Sequence, residues 1–450
     1  MKHIAVIDIG KTNVKLALVE AGTLREIAVE TRPNRVLPGP PWPHFDLEGH
    51  WDFLLHHLAA FHAAHGVDAI SITTHGAAAV LLDAGGDLAC PMLDYEHPGP
   101  DDLAAEYDAL RPAFTDTGSP RLPMGLNLGA QLHWMLETIP GLRDRVAQVL
   151  TYPQYWGWRL TGVAATDVTS LGCHTDLWNP WQGGFSPLVD RLGLVGRIAP
   201  ARRSGDVLGR LRPDLMAQTG LPAVPVTCGI HDSNASLYPH VLGRAAPFAV
   251  VSTGTWVVCM AVGGRAVPLD AARDVLVNVN ALGAPVPSAR FMGGREYELI
   301  RQGCDVQPMA ADFAQVLQSG LMILPAVEPG SGPFPGRAMR WTAEPATEGQ
   351  RMAALSLYLA LMTETCLGLI GAEGPAIIEG PFARNAGYLA MLASLRPGGV
   401  ETASSATGTA AGAALLALGA GHAPASCRVA LPPDAAALAD YAARWRAQVS

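Results

Sequence analysis

The chain has 450 residues, 49% of them hydrophobic and 16% charged, with a formal net charge of −9. That length suits two or three domains, and the apolar content supplies large packed cores, which excludes wholesale disorder. The negative charge excludes a chain-wide electrostatic trap for nucleic acid or an anionic membrane.

In chain order, Ile4–Asp8 and Val14–Val19 read as consecutive strands across a tight turn. Ala69–Thr73 and Val80–Asp83 read as further strands. Helical patterns run over Trp51–Ala64, Leu128–Glu137, Met352–Leu369 and Gly387–Leu395. Strands and helices mixed in this way predict an α/β protein with helix-covered central sheets. The seven cysteines are scattered and never spaced as CxxC, which argues for reduced thiols and against a zinc site or a disulfide framework. Met1-Lys2-His3 runs straight into a strand without the apolar stretch of a signal peptide, so the reading is cytoplasmic. Ala410–Ala420 is apolar but too short to span a bilayer.

An internal repeat is visible. The first copy is an apolar strand, Asp8-Ile9-Gly10-Lys11-Thr12-Asn13, and a returning strand. The second is Phe248–Val251, Ser252-Thr253-Gly254-Thr255, and a return through Trp256–Met260. About half the chain separates them, as a duplicated two-lobed protein requires. The Pro-containing Leu221–Pro225 suggests the lobe boundary, giving domains 1–222 and 223–450. Glu328–Gly336 reads as a surface loop.

Four segments could carry chemistry. Gly10 permits close approach of a ligand, and the N–H groups of Lys11, Thr12 and Asn13 can form an anion nest. Asp8, at a strand end, could hold Mg²⁺ largely through water. Thr253, Gly254 and Thr255 offer a second turn of the same kind. Either turn alone is more often a plain hairpin; the pair is what would clasp a triphosphate from two sides. Third, Asp232 follows the strand-like Val224–Cys228 and suits a general base acting on a hydroxyl, although Asp is also a common helix cap. Its neighbour His231 is by default a packing residue. Fourth, Ile377–Asn385 reads as a strand, a Gly380-Pro381 turn and a helix start, which could hold a nucleoside or be a simple βα loop. His56, His57, His62 and His65 crowd one helix without the spacing of a metal motif. No P-loop and no GxGxxG follows the first strand.

These residues resemble the FGGY carbohydrate kinases, of the actin-like and hexokinase-like ATPase superfamily with its ribonuclease H-like duplicated domains. Asp8–Lys15 resembles the family's first phosphate motif, Gly229-Ile230-His231-Asp232 its catalytic segment, and Val251–Trp256 its second phosphate motif. Leu160-Thr161-Gly162 and Thr166–Ser170 resemble the stretch on which the first domain packs. Asn127–Leu132 is similar to the rhamnulokinase branch, whose features L-fuculose kinases share. The resemblance implies an ATP- and Mg²⁺-dependent kinase acting on a ketose such as L-rhamnulose or L-fuculose. Kinases for another ketose or a polyol, or a non-catalytic sugar or nucleotide sensor, are the alternatives. It implies Asp232 as base, with Asp8, Gly10, Lys11, Thr12, Asn13, Lys15, Thr253, Gly254, Thr255, Gly380, Arg384 and Asn385 on ATP and its metal. His75, Gly76, Asp94, Glu96, Gln131 and His231 would meet the sugar. The partners are then sugar and ATP, with no nucleic acid or membrane; a homodimer is compatible. Three departures stand out. Lys11 replaces a small residue, Glu379-Gly380-Pro381 replaces a Gly-rich adenosine loop, and no acid follows Gly76.

Overall fold

A computed structural model of the protein describes residues 1–403, 408–419 and 425–450. The chain divides into two compact units. Unit one comprises residues 1–243, 277–285 and 407–423, and unit two comprises 244–276, 286–406 and 424–450.

Unit one is built on a seven-stranded sheet. Its strands are β1 (His3–Ile9), β2 (Asn13–Glu20), β3 (Glu26–Pro33), β4 (Ala69–Thr74), β5 (Val207–Arg210), β6 (Pro225–Thr227) and β7 (Ile230–His231). The order is β5-β6-β4-β1-β2-β3, and β7 also pairs with β4. β1 runs antiparallel to β2, with Asp8 opposite Lys15, and parallel to β4. β1 is apolar at nearly every position because both of its faces are covered. Ala5, Ile7 and Ile9 pack in the core that includes α1 (Leu47–His65) and α3 (Tyr152–Thr161), whereas Ile4 and Val6 pack with α4 (Asp232–Gly243) and α7 (Thr409–Leu418). α7 approaches closely because it is made of small residues: a Cβ on Gly412 would collide with the Ala235 carbonyl. Ser71 donates to the Ala413 carbonyl at 2.6 Å. A third core in this unit gathers Leu128, Leu132 and Met135 of α2 (Leu128–Thr138) with Tyr107, Trp178 and Leu188.

Unit two repeats the plan. β8 (Phe248–Thr253) and β9 (Val257–Val262) form an antiparallel hairpin, and β12 (Ala376–Glu379) runs parallel to β8. With β10 (Val275–Val279), β11 (Pro285–Phe291), β13 (Val400–Ala403) and β14 (Ser426–Arg428), the sheet order is β10-β11-β9-β8-β12-β13-β14. Its core is centred on α5 (Glu348–Leu369), with α6 (Ala386–Leu395) packed beside it. α5 has the length and apolarity of a membrane span, but 78% of its apolar window is buried inside the protein, as expected of a core helix.

The duplicated α/β frame matches the expectation; the boundary does not. The division falls after Gly243, not after residue 222. Leu221 and Val224 are buried in the core of unit one, where the link between β5 and β6 carries them. β6 and β7 then pair with β4, which brings Asp232 into unit one. The segment 328–336 is a loop, but Ser331 and Phe334 in its middle are buried. The Ser331 hydroxyl accepts the Met292 N–H at 3.1 Å, so this loop is a packed part of unit two.

Candidate active site

The turn between β1 and β2 closes through the Gly10 N–H, donated to the Asn13 carbonyl at 2.9 Å. Thr12 and Asn13 are exposed at its tip. A residue outside the motif braces it. Buried Asn34 donates its side-chain amide to the Gly10 carbonyl at 2.8 Å and its backbone N–H to the Thr12 carbonyl at 2.9 Å. Asn34 is in turn held by His50 of α1, whose Nε2 lies 2.8 Å from Asn34 Oδ1. Burial, reinforced by nearby Arg32, lowers the His50 pKa to about 4. The neutral ring therefore donates from Nε2 to the Asn34 oxygen. Neither Asn34 nor His50 stands out in the sequence, because a polar brace on a strand end or a buried helix face has no motif.

Asp8 is held from two sides. Lys15 Nζ is 3.1 Å from its Oδ2, and the Thr409 hydroxyl donates to the same oxygen at 2.6 Å. Lys15 also pairs with Glu26 at 3.0 Å. Among the described residues no group of three or more His, Cys, Asp or Glu could hold a metal. A single carboxylate shared with an ammonium and a hydroxyl offers few ligands of its own, which fits only a Mg²⁺ bound mainly by water and phosphate oxygens.

Lys11 departs from the turn altogether. Its ammonium pairs with Asp94 and lies 3.3 Å from Glu96 Oε2. It sits 4.5 Å from the Tyr95 ring centroid and 5.2 Å from that of Phe45. The residue expected at phosphate thus stands among those expected at sugar. His75, which follows β4, completes this wall: it packs on Phe45, Tyr95 and Tyr152, its Nε2 has no partner, and burial lowers its pKa. A buried neutral imidazole can exchange a hydrogen bond with a hydroxyl without adding charge.

β7 ends at His231 and α4 begins at Asp232, so the strand-to-helix junction presents both side chains. Asp232 Oδ1 accepts the Ser233 N–H at 2.6 Å and lies 3.4 Å from His231 Nε2. The His231 N–H is donated to Thr169 Oγ1 at 2.9 Å, and the Thr169 hydroxyl bonds Asp167 at 2.6 Å. Gly76 lets the His231 ring approach, since a Cβ there would overlap it. Burial disfavours charge on His231, but Cys173 and Asp232 outweigh it and raise its pKa. Burial likewise opposes the Cys173 thiolate, yet His174 and His231 lower that pKa. Cys173 is the member of this cluster that its scattered spacing concealed.

Gln131 plays another part. Its amide nitrogen donates to the Ala77 carbonyl at 2.6 Å and to that of Gly125, so it ties the floor of this region together.

In unit two, Gly254, Thr255, Arg384 and Asn385 line a cavity of about 650 Å³, joined by Tyr297 and Phe313. Asn385 caps α6 by accepting the Tyr388 N–H at 3.0 Å. Thr253 stands behind the wall. It is buried, its hydroxyl donates to the Glu379 carbonyl at 2.5 Å, and its Oγ1 accepts the Phe382 N–H at 3.1 Å. The expected phosphate contact by this hydroxyl is replaced by a clamp between β8 and the loop after β12. Gly380, at φ 83°, makes the clamp possible, because a Cβ would strike the Thr253 carbonyl.

Two family models match this chain: the N-terminal domain of the FGGY family of carbohydrate kinases over residues 3–238, and the FGGY carbohydrate kinase C-terminal domain over 245–426. The chain belongs to the FGGY family of carbohydrate kinases. The break between the two models brackets the observed division after Gly243. The chain is similar to an L-fuculokinase of Salmonella typhi, 31% identical over 44% of this chain and 42% of the relative. An L-fuculokinase of Escherichia coli K12 is 27% identical over 57% and 56%. A rhamnulokinase of Bacillus subtilis is 28% identical over 42% and 38%. The chain therefore spans about half the length, or less, of these curated relatives. A crystal structure of a carbohydrate kinase from Novosphingobium aromaticivorans is 39% identical over 99% of this chain and 100% of that one, with a TM-score of 0.92. A ligand-bound xylulose kinase from Lactobacillus acidophilus, 13% identical with a TM-score of 0.78 over 100% of this chain and 98% of that one, shares the fold.

Proposed function

We propose that the protein is an ATP-dependent kinase that phosphorylates a hydroxyl of a small neutral ketose, of the class of L-fuculose or L-rhamnulose. The observation that carries this reading is the gathering, within one unit, of Asp232, His75, Asp94 and the 10–13 turn. The similarity to L-fuculokinases and a rhamnulokinase supports the ketose class.

In the proposed reaction the sugar lies against His75, Asp94 and Asp232. Asp232 accepts the proton of the attacking hydroxyl as its oxygen forms a bond to the γ-phosphorus and the bond to ADP breaks. Catalysis of this kind is mostly positioning and charge stabilisation. Backbone N–H groups of the Gly10 turn, with Thr12 and Asn13, supply donors to the phosphates. Thr255, Arg384 and Asn385 edge the pocket proposed for the nucleoside, with Tyr297 and Phe313 as its apolar walls. Asp8 would hold Mg²⁺, which when bound neutralises phosphate charge. The charges of the sugar wall argue for a neutral substrate. Asp94, Glu96 and Asp232 outnumber the cations beside them, Lys11 and His231 with its raised pKa, so a sugar acid would meet net repulsion.

The test is sugar-dependent ADP release across ketoses, aldoses, polyols and aldonates. A neutral ketose should give the highest kcat/KM, and aldonates the lowest. Saturable sugar binding without ADP release from any compound would replace the kinase with a sensor.

A further inference from the structure

Lys11 is the feature that the proposed reaction leaves unexplained. It belongs to the phosphate turn by position, between Gly10 and Thr12, yet its side chain is spent on the sugar wall. Asp94 Oδ1 serves two donors, the Lys11 ammonium and the Glu96 N–H at 3.2 Å. Asp94 is itself buried and anchored, with its N–H donated to the Pro43 carbonyl at 2.9 Å. The pair therefore has a fixed partner and a mobile one: a carboxylate held by its backbone, and a point charge on a four-carbon stem. The side chain of Lys11 keeps 22% exposure, and it also meets the Tyr95 and Phe45 rings and the exposed Glu96.

We infer that Lys11 is a sugar-gated catalytic cation: paired with Asp94 when the sugar site is empty, and delivered to the transferring phosphoryl group when a sugar hydroxyl takes its place on Asp94. The inference rests on the kinase reading, because it requires a sugar at Asp94 and a phosphate at the Gly10 turn. A hydroxyl donating to Asp94 competes for the oxygen that holds Lys11. Once displaced, the ammonium partitions between Glu96, 3.3 Å away at rest, and its own turn, where a bound triphosphate carries the greater negative charge. There it offsets the charge spread over the equatorial oxygens in the transition state.

The device answers a problem that every sugar kinase faces. Water can also attack the γ-phosphorus; the same bond to ADP then breaks, the new bond is to the water oxygen, its proton passes to Asp232, and the product is inorganic phosphate. A cation withheld until sugar binds leaves this side reaction slow. Glu96, at the more exposed edge, serves as a second resting place for the ammonium.

The experiment measures ATP hydrolysis without sugar, and phosphorylation of L-fuculose and L-rhamnulose, for wild type, Asp94→Asn, Glu96→Gln, Lys11→Met and the Asp94→Asn/Lys11→Met double variant. Asp94→Asn should raise sugar-free hydrolysis about tenfold. The double variant should return to the wild-type rate or below, because the gain runs through the freed lysine. Glu96→Gln, which leaves the main partner in place, should give a smaller rise. Lys11→Met should lower kcat for sugar phosphorylation at least about tenfold, with little change in sugar affinity. Sugar-free hydrolysis in Asp94→Asn at the wild-type level, or a rise that survives in the double variant, would overturn the gate. Full kcat in Lys11→Met would reduce the lysine to a counter-ion. Thermal melts of each variant establish that it is folded. Failure of both sugars to stimulate wild-type ADP release counts against the ketose reading alone; the sugar-free rates still decide the role of Lys11.

Discussion

In unit one, the hairpin turn closes through the Gly10 N–H onto the Asn13 carbonyl; in unit two, the Gly254 N–H bonds the Trp256 carbonyl, also at 2.9 Å. Each hairpin is flanked by a parallel strand, β4 beside β1 and β12 beside β8. Beyond those parallel strands the two units part. β4 leads to His75 and a wall of titratable groups that also includes Lys11, Asp94, Glu96 and Asp232. β12 leads to Gly380, Pro381 and Phe382, whose backbone is clamped by Thr253 and whose far side borders a cavity lined by aromatic residues and by polar ones such as Arg384 and Asn385. Duplication supplied one frame twice, and the loops leaving it differ: titratable groups gather beside the first, and a cavity with aromatic and polar lining lies beside the second. Function follows these loops more closely than the frame, which is why the fold by itself leaves the substrate open.

The sharpest test of that division is Asp232→Asn, which removes the proposed base while keeping its volume. Turnover should fall roughly 10²–10⁴-fold, with sugar and nucleotide binding little altered by calorimetry. Turnover within a few-fold of wild type would mean that the charged wall is not where the chemistry occurs. The counterpart in unit two is Thr253→Val. It breaks two buried hydrogen bonds of the clamp, a loss of ~1–3 kcal/mol. The loop after β12 should shift, raising the KM for ATP several-fold and leaving that for sugar unchanged. An effect on sugar KM alone would show that the two loops do not divide the substrates. A milder perturbation is Asn34→Ala, which frees the Gly10 carbonyl of the first turn while the backbone N–H keeps its bond to the Thr12 carbonyl. A rise in KM for ATP of about two- to fivefold is expected from such a lost brace, and an unchanged value would show that the turn holds itself.

The plan of each unit was legible because a strand, a glycine turn and a returning strand follow one another in sequence. The position of Asp232 at a strand-to-helix junction was legible for the same local reason. What escaped was set by partners far along the chain. The Thr253 hydroxyl looks like a phosphate ligand until Glu379, 126 residues away, is seen to take it. Lys11 looks like part of its turn until Asp94, 83 residues on, is seen to hold it. The boundary was misplaced because a Pro-flanked segment, 221–225, resembles a linker, whereas its Leu221 and Val224 are core residues of unit one. Cys173 gave no signal at all: only folding brings it to His231.

The comparison extends to stability, through one buried titratable group in each unit. In unit one, burial and Arg32 lower the His50 pKa to about 4. In unit two, burial raises that of Glu296 to about 7, although its Oε1 accepts the Glu328 N–H at 3.1 Å. Between pH 4 and 6.5 the unfolded chain binds a proton at His50 that the folded chain does not, so the stabilising effect of His50 is lost as pH falls through that window. Between pH 4.5 and 7 the folded chain holds a proton at Glu296 that the unfolded chain has released, so the contribution of Glu296 is lost as pH rises. The two slopes have opposite sign, and each amounts to about 1–3 kcal/mol when allowance is made for relaxation. His50→Gln keeps a donor toward Asn34 but cannot titrate, and Glu296→Gln keeps an acceptor for the Glu328 N–H. Calorimetric melts between pH 4.5 and 8 should show the His50→Gln protein losing less stability on the acid side, with the Glu296→Gln protein losing less as pH rises to 8. If the two units melt as separate transitions, each variant should move only its own. A pH profile of melting unchanged by Glu296→Gln would show that the buried carboxyl is already satisfied in its charged form, and the contrast between the units would then be confined to their loops.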